Sequence, residues 1–147
     1  MKAFLVTFLV LISLTSVEAR KLPTCDYPDM EKASDFVGIV EVTNVSLSTE
    51  KLPDVKIAEW YQGYLATVRP LWTKKGEIKN ENLKILFFRF NEKKKSDFSF
   101  GEPTFVALKE GRQYLVFLKA SPSYYTAVTG DYDPGYSIRL VTGAVDK

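Results

Sequence analysis

The chain has 147 residues, with 20 Lys and Arg against 18 Asp and Glu, no histidine and a single cysteine. A net charge of +2 aids solubility but gives no electrostatic footprint for nucleic acid or a membrane surface. Without His, the Ser-His-Asp and Cys-His nucleophiles and His-based catalytic zinc are excluded, and one Cys closes neither an intrachain disulfide nor a four-cysteine zinc site.

Residues 1–19 read as a signal peptide. Lys2 supplies the positive start, residues 3–14 are apolar except Thr7 and Ser13, and Val17-Glu18-Ala19 ends in small residues suited to cleavage after Ala19. The apolar run is shorter than the roughly 20 residues of a spanning helix. Leu22-Pro23-Thr24-Cys25 is a poor lipobox, because Arg20-Lys21 stands between it and the apolar run. No later stretch could span a membrane. Residues 20–147 make one domain, secreted or periplasmic, in which Cys25 is a free thiol, an intermolecular bridge or the relic of a lost pair.

Residues 28–34 (PDMEKAS) suit one helical turn, with Pro28 at its start. Strands follow. Residues 36–45 (FVGIVEVTNV) set Phe36, Gly38, Val40 and Val42 on one face, and Gly38 marks a bulge or coil. Residues 64–72 (YLATVRPLW) set Tyr64, Ala66, Val68 and Trp72 together, with Pro70 at an edge or bulge. Residues 83–90 (LKILFFRF) point Leu83, Ile85 and Phe87 inward, then shift register to Phe88 and Phe90. Residues 114–119 (YLVFLK) suit a central strand buried on both faces. Strands at 124–128 and 136–141 flank a turn at 130–135 (GDYDPG), and 91–113 forms one long excursion. The expected fold class is all-β with few short helical turns: a small five- to six-stranded OB-type barrel, with an immunoglobulin-like sandwich as the alternative.

Carboxylates are the remaining route to catalysis. Asp131 and Asp133 lie in the turn and Glu102 and Glu110 in the excursion, where glycosidase chemistry would need a pair across a cleft. The first two read as turn formers, and the chain has no EF-hand pattern. Lys93-Lys94-Lys95, with Lys74, Lys75 and Lys79, are interleaved with Glu77, Glu81, Glu92 and Asp97, which is the pattern of a solvated charge run. Most of Trp60, Tyr61, Tyr64, Tyr124, Tyr125, Tyr132 and Tyr136 are needed to fill a small barrel. Trp60, Tyr61 and Tyr132 fall at loop edges and are the candidates for an exposed binding platform. Asn44-Val45-Ser46 is a glycosylation sequon.

A resemblance adds to this reading. Cys25, then Ala33-Ser34-Asp35-Phe36-Val37-Gly38-Ile39-Val40-Glu41-Val42, then Tyr64-Leu65-Ala66-Thr67-Val68-Arg69-Pro70-Leu71-Trp72-Thr73-Lys74-Lys75-Gly76, and finally Gly111-Arg112-Gln113-Tyr114-Leu115-Val116 follow one another in order. This course resembles the netrin-like OB domain, the group of the tissue inhibitors of metalloproteinases and simpler exported bacterial relatives. The resemblance implies a binding segment at Cys25, Asp26 and Tyr27, where the inhibitors chelate a target's zinc through the free α-amine of an N-terminal Cys. Here cleavage after Ala19 leaves residues ahead of Cys25, and Tyr27 stands where the inhibitors carry a second Cys. The expected function is a non-enzymatic binding module for a protein partner, without metal or cofactor. The alternatives are a metalloproteinase-inhibitor-like protein, a structural envelope-associated protein and, last, a carboxylate enzyme. An exposed aromatic patch beside the loop 46–59 would mark binding, and a deep acidic cleft would mark an enzyme.

Overall fold

The computed structural model describes residues 26–53, 58–77, 82–91, 107–130 and 134–142. The signal segment, Cys25, the lysines at 79 and 93–95, Glu102 and the Asp131-Tyr132-Asp133 turn lie outside the described residues.

The described residues begin with a helix, α1 (Tyr27–Ala33), whose boundaries follow from its ends. The Asp26 side chain accepts the Asp29 backbone N–H at 2.9 Å, Pro28 occupies the first turn, and the Ser34 N–H closes on the Met30 and Glu31 carbonyls. Ser34 Oγ also donates to the Met30 carbonyl at 2.6 Å, and Lys75 donates to the carbonyls of Glu31 and Lys32. Six strands follow among the described residues: β1 (Phe36–Leu47), β2 (Tyr61–Lys75), β3 (Leu83–Phe90), β4 (Gln113–Ala120), β5 (Tyr125–Ala127) and β6 (Ile138–Leu140).

Antiparallel pairing runs β1 to β2 to β3, and β5 to β4 to β1; a single parallel pair, Ile85 with Tyr125, joins β3 to β5 and completes the circuit. The result is a closed five-stranded mixed barrel with one extra strand, the OB type. Because β1 pairs with both β2 and β4, the sheet closes on itself and does not split into a sandwich. β6 continues the line of β5 along β4. Between them the chain leaves and returns at Phe117, whose carbonyl accepts from Val128 N–H and whose N–H donates to the Ser137 carbonyl. The Thr129 N–H donates to the buried Ser137 hydroxyl at 2.9 Å and pins the base of this detour. The two last strands are therefore shorter than the periodicity predicts.

The barrel interior is filled by alternate residues of every strand, including Phe36, Val40 and Val42 of β1, Leu83, Ile85 and Phe87 of β3, and Tyr114, Val116 and Leu118 of β4. Three bulges decide which face each residue serves. Thr43 is the extra residue on β1, and Leu71 and Lys74 are extra on β2. Pro70 stands beside the Leu71 bulge, beyond the last β3 pair at Val68, where a missing N–H costs the ladder nothing.

Two sequence expectations change as a result. Leu71 reverses the parity of β2, so Trp72 pairs with outward-facing Ile39 and lies on the barrel exterior, opposite the face of Tyr64, Ala66 and Val68. β3 holds one unbroken register against β2 from Leu83 to Phe90, with no shift. Leu86 and Phe88 are buried because a second apolar cluster covers the outer face of that strand. Gly38 does lie at a bulge, but the extra residue is on β2 and its own φ is not in the left-handed region. Close approach is what requires glycine there: a β-carbon would run into the Trp72 carbonyl oxygen and meet the Phe36 ring at 3.1 Å.

Candidate functional site

The barrel exterior carries two apolar regions. On the outside of β2 and β3, Tyr61, Leu65, Leu86, Phe88 and Phe90 form a cluster that the chain itself closes. Residues 48–53 cross over it and insert Leu52, 3% exposed, while Trp60 and Tyr124 pack at its edges. The crossing is tied down by the Ser48 N–H to the Gly63 carbonyl at 2.9 Å and by Gln62 Nε2 to the Ser48 carbonyl at 3.0 Å. Gly63 is needed beneath it, since a β-carbon would meet the Glu50 carbonyl oxygen at 2.5 Å.

The second region spans β2, β1, β4 and β6. Here α1 covers only one row: Met30 seals Val37 and Phe117, and the Tyr27 ring lies 5.6 Å from that of Phe117. The next row along the strands, Trp72–Ile39–Leu115–Arg139, is set by cross-strand register and has no element over it among the described residues. Trp72 is 50% exposed and Tyr27 46%, with Ile39 and Leu115 half-buried between them. Arg139 donates from Nη1 to the Tyr27 hydroxyl at 2.6 Å, its Cζ 5.0 Å from that ring's centroid. The adjoining charges are matched internally, Arg69 with Glu41 and Lys74 with Glu31. Four strands at about 4.8 Å spacing make this strip roughly 15 Å wide.

A cleft of about 510 Å³ opens where the start of β3 and the β4–β5 turn diverge. Its described lining includes one carboxylate, Glu77, and one ammonium, Lys84. Among the described residues no group of three His, Cys, Asp or Glu could hold a metal ion, and no helix is long and apolar enough to cross a membrane.

The candidates from sequence are placed unequally. Tyr27 stands on the exposed strip, and Asp26 beside it is committed as the α1 N-cap. Tyr61 is 6% exposed and Trp60 half-buried, both in the sealed cluster, so the described part of the loop 46–59 contributes cover to that face and the exposed aromatics lie on a different one. Cys25 and Tyr132 lie outside the described residues. Lys74 and Lys75 are engaged with α1. Asn44 of the sequon is exposed just after the Thr43 bulge. Sequence reasoning missed Trp72, Ile39, Leu115 and Arg139 as a group. The signal that could have found them was Pro70, because an extra residue at the flagged bulge turns the next aromatic outward.

No protein-family model, curated protein or solved structure matches this chain.

Proposed function

We propose that this protein is an exported, non-enzymatic binding module that docks a protein partner on the Trp72–Ile39–Leu115 strip. The carrying observation is a half-exposed tryptophan on β2, in cross-strand register with two half-buried aliphatic residues and flanked by Tyr27 and Arg139. Trp, Tyr and Arg are the residue types that dominate binding hot spots, and an uncovered apolar strip on a small protein marks a contact surface. Half of a tryptophan is roughly 100 Å², and burying it at about 25 cal/mol per Å² contributes about 2–3 kcal/mol, which is the size of a hot spot. Export rests on the apolar run and the Val17-Glu18-Ala19 site. The resemblance to netrin-like domains, themselves exported binding modules, supports the same class.

The test is affinity capture from the native extracellular or periplasmic fraction on the intact chain and on Trp72→Ala, followed by titration of the purified partner. A partner whose affinity falls at least about 30-fold with Trp72→Ala is expected. One that binds both forms equally would place its contact elsewhere and sink this reading.

A further inference from the structure

Resting on the docking reading above, we infer that the partner presents a carboxylate side chain beside an aliphatic or aromatic one, the carboxylate meeting Arg139 and the apolar group covering Trp72 and Leu115. Arg139 lies on the outer face of β6, directly across from Leu115. It is exposed, and no carboxylate among the described residues lies within ion-pairing distance of it. Other basic side chains bordering the strip are engaged within this chain. Arg69 and Lys74 each hold a carboxylate, and Lys75 is turned to the carbonyls at the end of α1. Among the described residues the strip therefore offers one guanidinium, that of Arg139, with no carboxylate paired to it.

That guanidinium is also held in place. Its Nη1 donates to the Tyr27 hydroxyl, and Tyr27 is fixed in turn by the first turn of α1 and by its contact with Phe117. A guanidinium carries five N–H donors in a planar fork, so one bond to a phenol leaves a side able to take a carboxylate in bidentate fashion. Prior ordering lowers the entropy lost when the ion pair forms, which otherwise cancels most of the gain from an exposed pair. The neighbouring apolar row excludes water from one side of the pair and strengthens it further. A partner with an apolar group alone would leave the fork unmatched. A partner with a basic group would meet like charge.

A displayed library of random linear peptides, selected on the full chain, on Arg139→Gln and on Trp72→Ala, separates the two levels of the claim. Thermal melts of both variants establish that they fold. Selection on the intact chain is expected to enrich Asp or Glu within a few residues of Leu, Ile or an aromatic. The enriched peptides should lose at least tenfold in affinity on Arg139→Gln, and their binding to the intact chain should weaken with added salt. Selection on Arg139→Gln should keep the apolar preference and drop the acidic one. Enriched peptides that are apolar without acid and depend on Trp72 would overturn the carboxylate inference and leave the docking reading standing. Peptides that bind Trp72→Ala as tightly as the intact chain, or no enrichment on the intact chain, would overturn both.

Discussion

The two apolar regions on the outside of this barrel differ in what covers them. Over β2 and β3 the chain lays residues 48–53, with Ala58 and Trp60 at the side, and Leu52, Tyr61, Leu86 and Phe88 end as buried as interior residues. Over β1 and β4 the described residues lay the short helix α1, which reaches one row of side chains and stops. Strands 2 and 3 form the face through which OB folds commonly bind oligonucleotides and oligosaccharides. That face is filled here by the protein's own aromatics, and the apolar surface left open among the described residues lies toward the far end of β2, at Trp72. Burial of the first region is a stability device, so its residues should carry large unfolding effects and none on binding. The second should show the reverse.

Substitutions in the two regions test that contrast. The largest effect is expected at the sealed face: Phe88→Ala, removing a ring that is 3% exposed, should destabilise by about 3–5 kcal/mol in urea unfolding. A cost near zero would mean that the cover does not seal. Next is Gly38→Ala, where the new methyl displaces the β2 backbone at Trp72 and should cost about 1–3 kcal/mol. Because the displaced segment carries Trp72, this variant should also bind partner less well, which links the bulge to the open strip. Asp26→Ala removes the α1 N-cap and should cost about 1 kcal/mol, with faster hydrogen exchange confined to the helix amides. Uniform acceleration across the barrel strands would show that α1 is part of the core. The smallest is Trp72→Ala, at about 1 kcal/mol or less in stability, while partner affinity drops at least about 30-fold.

The legible part of the fold was what period-two alternation encodes. β1 and β3 were visible because Val, Ile and Phe recur at alternate positions, β4 from its continuous apolar run, and the short helix from Pro28 and its acidic first turn. Alternation gives sides only while the count holds. Pro70 flags a bulge without saying which residue is extra, and nothing local announces the one at Lys74; the extra residue, Leu71, moves Trp72 from the expected interior to the exterior. The apparent register shift in β3 had a similar origin. A run such as Ile85-Leu86-Phe87-Phe88 is apolar on both faces, and only the distant crossing at residues 48–53 explains why. Tyr27 was named from family resemblance, and its place on the open strip comes from its contacts with Phe117 and Arg139. Arg139 itself sits in a three-residue strand, too short for its face to be read from periodicity.

Trp60 and Trp72 are the only two tryptophans in the chain, and they fall one on each region. In the variant Trp60→Phe the remaining indole reports on the strip alone. The direct measurement is acrylamide quenching of that variant's fluorescence, before and after saturation with a peptide selected on the intact chain. Trp72 is expected to be readily quenched in the free protein and to become both protected and blue-shifted when the peptide binds. Quenching and emission that stay unchanged while the peptide is demonstrably bound would contradict it.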